Sequence, residues 1–246
     1  MGAAIYKSAM PLDAPRKWLI AMFLSVLAFQ PLQGSAGMTP QEVKAFEGYK
    51  VKAEKGDTAA QLNLGECYLY AFGVPEDEVM ALKWLRAASE KGNIDAQYFL
   101  GCYLSDKKGD KHDKLESVKW LCRAADQGHI RAQYRLGGFY FYGYCVDNKD
   151  FDVAVKWYRK AAEQGDSNAQ DMLGECYQDG FGVEKDEVEA YAFFNLASIA
   201  SNASSRASLG KLEKKLSRAE IADGQKRTKE LKKEIEAKIA ASKARK

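Results

Sequence analysis

Residues Ala87 to Gly101 read A-A-S-E-K-G-N-I-D-A-Q-Y-F-L-G, and versions of this stretch recur along the 246-residue chain. The Lys-Gly pair within it has counterparts upstream and downstream, in steps of 36, 36 and 37 residues. The four pairs are Lys55-Gly56, Lys91-Gly92, Gln127-Gly128 and Gln164-Gly165. An Ala-Gln pair, a Leu-Gly pair and a large aromatic residue keep the same register in all four copies. A period of this length is the signature of a stacked array of structural repeats.

Each repeat is predicted to form two helices. In the first repeat, apolar residues at i, i+4 and i+8 from Ala60 to Tyr68 form one stripe, and Gly65 leaves room for a neighbouring helix. Gly73 ends this helix because glycine readily adopts a positive φ. Asp77 then caps a second helix, which Gly92 ends. Because short turns make adjacent helices antiparallel, the fold class is predicted to be an all-α solenoid of antiparallel helix pairs.

A short polar residue follows the glycine of every pair. These residues are Asp57, Asn93, His129 and Asp166. Each is predicted to cap the next helix with its side chain. His129 is therefore interpreted as a structural residue and not as a general base.

The first 37 residues have the composition of a targeting segment. Arg16 and Lys17 precede an apolar run, which small residues follow up to Gly37. This order is typical of a secretory signal peptide, and the run is shorter than the roughly 20 residues that span a bilayer. Residues 1–37 are therefore predicted to be a signal peptide, with no stable membrane insertion of the chain after cleavage.

The remaining chain divides into three segments. Residues 38–52 are predicted to form an N-terminal capping helix, because Thr39-Pro40-Gln41-Glu42 is a capping box with proline at the first helical position. Residues 53–200 hold about four repeats. Residues 201–246 are predicted to form a helical C-terminal cap with a basic tail, in which Leu231, Ile235 and Ile239 make a narrow apolar stripe.

Composition and charge exclude two broad classes of protein. With 46% hydrophobic and 29% charged residues, the chain is not a disordered polymer. Its net charge of +3 lacks the basic excess of a dedicated nucleic-acid binder. The charge is unevenly spread, since residues 211–246 carry 13 basic and 6 acidic side chains. This tail is interpreted as a solvated capping helix, and contact with an acidic partner or anionic lipid headgroups is the alternative.

The repeats resemble the Sel-one-like repeat (SLR) family, which is related to the tetratricopeptide repeat and includes exported bacterial members. The resemblance covers about residues 53 to 200 and includes L-G-E-C-Y-Q-D-G-F-G-V-E-K-D, from Leu173 to Asp186. It implies a right-handed superhelix that binds proteins or peptides on its concave face and has no catalytic activity. Two repeats depart from the family pattern, with the polar segment 105–110 and with Cys145 where glycine turns are expected.

The resemblance also implies where a partner would bind, since the first helix of each repeat lines the concave face in this family. The candidate partner-binding residues beside the apolar stripe are Leu62, Glu66, Tyr70, Tyr98, Arg131, Tyr134, Phe141, Tyr142, Asp171 and Glu175. The aromatic members would give large, stiff contact areas. The alternative is that several of them pack between repeats.

Motifs for catalysis are weak in this sequence. Two S-x-x-K matches, at 105–108 and 208–211, lack the S-D-N and K-T-G partners of penicillin-binding enzymes. Cys-x-x-Cys and His-Glu-x-x-His do not occur, and neither does a phosphate-binding P-loop. Cys67 and Cys176 share one repeat position and are predicted to be small buried side chains. No cofactor or metal is therefore expected.

The predicted function is that of a non-catalytic, exported repeat protein, periplasmic or secreted, which binds a protein or peptide as an adaptor or scaffold. One alternative is a periplasmic immunity protein that neutralises a secreted toxin, because exported SLR proteins are similar to such proteins. An envelope hydrolase or a penicillin-binding enzyme is the other alternative.

Overall fold

The computed structural model describes residues 38–107, 111–144, 146 and 148–244. The predicted signal peptide, residues 1–37, lies outside the described residues, as does Cys145. The described residues form eleven α-helices and no strand, as the repeat pattern predicts. In chain order they are α1 Pro40–Glu54, α2 Thr58–Leu69, α3 Glu78–Glu90, α4 Ile94–Asp106, α5 Lys111–Asp126, α6 Ile130–Tyr142, α7 Phe151–Ala162, α8 Ser167–Asp179, α9 Glu187–Ile199, α10 Ala203–Leu212 and α11 Arg218–Lys243.

The helices belong to two compact units that divide after Asp106. The first unit contains α1 to α4, and the second contains α5 to α11. Within each unit, consecutive helices pack as antiparallel pairs joined by short turns, which is the predicted α-solenoid architecture. The boundary lies within the second repeat, in the polar segment that replaces a glycine turn.

The predicted helix caps are confirmed. Asp57, Asn93 and Asp166 each accept a hydrogen bond from the backbone N–H three residues ahead, over 2.8 to 2.9 Å. His129 does the same, since its Nδ1 accepts from the N–H of Ala132 at 3.1 Å. The α1 capping box at Thr39 and Glu42 is also present. Side-chain caps satisfy backbone donors that have no partner within the helix.

The glutamine of each Ala-Gln pair links consecutive helices. Its side-chain Nε2 donates to the backbone carbonyl eight residues earlier, in the last turn of the preceding helix. The four bonds run from Gln61 to Ala53 at 3.1 Å, from Gln97 to Ser89 at 3.0 Å, from Gln133 to Ala125 at 2.9 Å and from Gln170 to Ala162 at 3.3 Å. All four glutamines are buried. Each of these carbonyls also accepts a hydrogen bond from the backbone N–H of the glycine three residues later, so the glutamine is its second donor and gains an acceptor for its own buried Nε2.

In repeats one, three and four, the glycine of the Leu-Gly pair allows the two helices of the repeat to approach closely. A Cβ at Gly65 would lie 2.7 Å from a side-chain carbon of Leu85, and one at Gly174 would lie 2.6 Å from the ring of Phe194. A Cβ at Gly137 would likewise overlap with the ring of Tyr158. The space predicted beside Gly65 is therefore filled by the second helix of the same repeat.

Helix α10 keeps part of the register of a first helix, one period after α8, and we call it a partial fifth repeat. Asn202 occupies the capping position and accepts from the N–H of Ser205 at 3.1 Å. Leu209 and Gly210 follow in the Leu-Gly register, 36 residues after Leu173 and Gly174. A Cβ at Gly210, however, would meet no atom within 4 Å. The fifth repeat therefore lacks the close helix pairing of the other repeats.

Helix α11 packs on α9 and closes the second unit. A Cβ at Gly224 would lie 2.5 Å from the ring of Tyr191, so the two helices approach closely there. Leu231 and Ile235 are buried in the same apolar cluster as repeats three and four, and Ile239 packs against it. The predicted apolar stripe is therefore confirmed, and it faces the repeats.

The two glycines of the Leu-Gly register in repeats four and five provide a matched pair. We expect Gly174→Ala to lower the free energy of unfolding by about 1–3 kcal/mol, because the added methyl overpacks the contact with Phe194. Gly210→Ala should raise it by about 0.5–1 kcal/mol, because alanine is the better helix former where space is open. Urea denaturation followed by circular dichroism measures both. Equal losses in the two variants would contradict the close-approach role.

The turn after α2 holds a residue in an unfavourable conformation. Ala71 has a φ of +52°, whereas Gly143 and Gly180, at the same repeat position, have φ values of +71° and +77°. The left-handed region costs a non-glycine residue about 1–2 kcal/mol. We expect Ala71→Gly to raise the free energy of unfolding by up to about 1 kcal/mol, and Gly180→Ala to lower it by a similar amount. Urea denaturation midpoints that move in the opposite directions would refute this account.

Candidate functional site

The second unit carries two predicted tyrosines on α6 and two predicted carboxylates on α8, and Tyr142 is close enough to both carboxylates for their charges to raise its pKa. We call Tyr134, Tyr142, Asp171 and Glu175 the tyrosine–carboxylate surface. Both tyrosines are half-buried and pack against the apolar cluster beneath them. The ring of Tyr134 lies 5.9 Å from that of Tyr158, between ring centroids. The cluster therefore supports the rings from below and limits their motion.

The carboxylates follow one face of α8. Asp171, Glu175 and Asp179 lie at i, i+4 and i+8, so their side chains point in similar directions. Asp171 is buried, and its Oδ1 accepts a hydrogen bond from Ser205 Oγ of α10 at 2.6 Å. Burial raises the pKa of Asp171, and the hydroxyls of Ser205 and Ser204 oppose that rise.

Glu175 has the most strongly perturbed carboxylate of this surface. Burial, followed by the negative charges of Asp171 and Asp179, raises the pKa of Glu175 from 4.5 to about 7. Burial also raises the pKa of Tyr142, and the charge of Glu175 adds to that rise. Tyr142 therefore keeps its proton and can donate a hydrogen bond, while Glu175 can accept one or hold a cation.

The other predicted residues of the second unit differ in exposure. Arg131 is exposed on the first turn of α6. Phe141 is only 8% exposed, and its ring centroid lies 5.1 Å from that of Phe151 and 5.5 Å from that of Phe181. Most of the Phe141 surface is therefore packed against residues of the fold. This agrees with the alternative that some of the candidate residues pack between repeats.

The first unit holds the remaining four predicted residues on α2 and α4. Leu62 and Glu66 are buried, with 5% and 6% exposure. Tyr70 and Tyr98 are half-buried, and the ring of Tyr70 meets that of Phe99 edge to face at 6.5 Å. In this unit the tyrosines therefore offer more surface to a partner than the other two residues do.

Sequence reasoning missed Ser205 and Asp179 as neighbours of the predicted carboxylates. Asp179 could have been found from its i+4 spacing to Glu175. Ser205 stands at the alanine position of the fifth repeat, which was not identified. The predicted burial of Cys67 and Cys176 is confirmed, and burial raises the pKa of each thiol to about 12.

One group of potential metal ligands lies on the surface of α5. Ligand atoms of His112, Asp113 and Glu116 lie within 4.8 Å of one another. His112 is exposed, and Glu116 Oε1 accepts a hydrogen bond from Trp120 Nε1 at 3.1 Å. Three such ligands on one helix fall short of the closed four-ligand shell of a structural zinc site. Separately, none of the helices in the described ranges is both long and apolar enough to cross a membrane.

Comparison with known families identifies the repeats. The family model described as Sel1 repeat matches four consecutive segments of the chain, residues 58–93, 94–129, 130–166 and 167–202. Each segment begins at the first residue of a first helix, directly after its capping side chain. No curated protein matches the chain.

Solved structures share the fold. A Sel1 repeat protein from Oxalobacter formigenes is 34% identical with a TM-score of 0.63, over 70% of this chain and 50% of that one. A protective antigen of uropathogenic Escherichia coli strains, which displays an SLR fold, is 27% identical with a TM-score of 0.49, over 83% and 60%. An immunity protein from Pseudomonas aeruginosa is 19% identical with a TM-score of 0.44, over 95% and 86%, and so loose a superposition carries no argument about function. The chain thus spans half to three-fifths of the length of the first two proteins.

The raised pKa of Glu175 predicts a pH-dependent stability. Between about pH 4.5 and pH 7 the folded protein holds a proton at Glu175 that the unfolded chain has released, so stability falls as pH rises through this range. We expect Glu175→Gln to raise the melting temperature at pH 8, where it removes a buried negative charge. At pH 5 the variant and the original protein should melt within about 1 °C of each other.

Glu236→Gln on the exposed face of α11 is the control, and its effect should be small and equal at both pH values. Thermal unfolding by circular dichroism at pH 5 and pH 8 measures all three proteins. A Glu175→Gln effect that is larger at pH 5 than at pH 8 would reverse the assigned sign.

Proposed function

Since the chain belongs to the Sel1 repeat family, we propose that it is a non-catalytic, exported adaptor or scaffold that binds a protein or peptide. Sel1 repeat proteins are typically scaffolds for protein interactions. Export is supported by the signal-like pattern of residues 1–37, which would deliver the chain to the periplasm or outside the cell.

The observation that carries the proposal is the tyrosine–carboxylate surface. Its two tyrosines are held by the core yet remain partly exposed, and Arg131 is exposed on the same helix as both. Rigid aromatic side chains with a polar tip dominate the energetics of many protein interfaces. Glu175 adds an acceptor for amide or cationic donors of the partner.

The half-buried position of these tyrosines affects how the surface is tested. Truncating Tyr134 and Tyr142 would disturb the apolar cluster as well as the surface, since both rings pack against it. Substitution of an exposed charged residue is a clearer first test of the surface, because it does not disturb the apolar cluster. Arg131 and Arg206 are both exposed arginines on first helices of repeats, and Arg206 lies on α10.

The partner is to be captured from the native cell envelope with the purified protein and identified by mass spectrometry. Its affinity is then measured by calorimetry for the original protein and for Arg131→Glu and Arg206→Glu. We expect Arg131→Glu to weaken binding at least about fivefold, because a rim charge is reversed, and Arg206→Glu to leave it unchanged. Melting temperatures confirm that both variants are folded.

Tyr134→Ala combined with Tyr142→Ala should weaken binding further, with the measurement made well below the melting temperature of the variant. Partner affinity that resists both the arginine and the tyrosine changes would refute this surface. Specific turnover by the purified chain, for example of a β-lactam, would refute the non-catalytic role. A captured toxin that the protein inhibits would narrow the role to immunity.

A further inference from the structure

A cleft opens between the repeats and the closing helix α11, and one of its elements, α8, also carries the carboxylates of the tyrosine–carboxylate surface. It lies among α7, α8, α9 and α11 of the second unit and has a volume of about 220 Å³. Its position is a consequence of the packing of α11, which bridges the second helices of repeats three and four.

The floor of the cleft is apolar. It is formed by Ala162, Leu173, Phe193, Leu231 and Ile235, all of which are buried. The ring of Phe193 stacks on that of Tyr177, with centroids 5.7 Å apart and planes 9° from parallel. A cavity of about 150 Å³ accepts one benzene molecule, so this cleft has room for one aromatic ring or one branched aliphatic side chain.

The rim of the cleft carries three basic and three acidic side chains. Two of the basic side chains are neutralised by carboxylates. Arg227 Nε lies 2.6 Å from Glu189, and its Nη1 lies 3.2 Å from Glu234, while Lys238 Nζ lies 2.8 Å from Glu163. The pairs with Glu189 and Glu163 join α11 to α9 and to the end of α7.

Arg159 differs from the other two basic residues of the rim. Its Nη2 donates to the neutral phenol oxygen of Tyr177 at 2.8 Å. A guanidinium has five N–H donors in a planar fork that matches a carboxylate, so this bond leaves donors for an anion. Arg159 is also exposed, and an incoming group can reach it from solvent.

We propose that the cleft binds the C-terminal residue of a peptide, with its apolar side chain on the floor and its terminal carboxylate on Arg159. The apolar floor is complementary to the apolar side chain of the peptide. Arg159, whose hydrogen-bond partner is the phenol of Tyr177, is complementary to the terminal carboxylate. The cleft shares α8 with the tyrosine–carboxylate surface, but none of the four residues of that surface lines it.

The probes are N-acetyl-L-phenylalanine and its C-terminal amide, which differ only in the carboxylate. Two-dimensional NMR of the full chain follows the side-chain signals of Leu231, Ile235 and Phe193 during titration. We expect the acid to bind with a dissociation constant of about 1 mM and the amide about tenfold more weakly, as loss of a charge-assisted hydrogen bond predicts.

Arg159→Gln should weaken binding of the acid about tenfold and leave binding of the amide unchanged. Arg206→Gln, the same change at an exposed arginine of α10, should affect neither probe. Equal affinities for acid and amide in the original protein would overturn the proposal. The same holds if the signals of the floor residues do not shift, or if Arg159→Gln binds the acid as the original protein does.

Discussion

In each of the first four repeats, a buried glutamine amide joins the first helix of the repeat to the helix before it. The carbonyl at the end of that helix also accepts from a backbone glycine N–H, so the side-chain bond chiefly gives the buried glutamine Nε2 an acceptor, and leaving that N–H unpaired would cost about 1–3 kcal/mol. In the fifth repeat this position holds Arg206, which is exposed. The linkage through glutamine therefore ends at the fourth repeat, next to the point where α11 turns back over α9.

Features fixed within a few residues were predictable from the sequence. The cap at His129 needs only a side-chain acceptor and the N–H three residues ahead, and the structure has that bond. The close approach of two helices at Gly174 was equally predictable, because this glycine recurs in the same register in each repeat. The path of α11 depends instead on contacts between distant residues, such as Gly224 with Tyr191, and no local spacing contains that information.

The candidate surface shows the same limit. Position along a helix placed Tyr142 and Glu175 on neighbouring helices, but it did not distinguish them from Phe141, whose ring is enclosed by Phe151 and Phe181. Which of two adjacent aromatic residues turns inward is decided by side chains from the following repeat. The partial fifth repeat was not predicted because no Ala-Gln pair and no aromatic residue in register follow Asn202.

Partly exposed ion pairs join the acidic repeats to the basic C-terminal segment. The repeats are acidic and the C-terminal segment is basic, and Arg227 and Lys238 of α11 place cations on Glu189 and Glu163 of the repeats. Gly210 lies at the position where a glycine lets the two helices of other repeats approach closely. A Cβ there would meet no atom within 4 Å, so that close helix pair is not formed. Because each repeat of a solenoid contacts only its neighbours, a whole repeat added or removed ahead of repeat three would leave the contacts of α11 with α9 and with Glu163 unchanged.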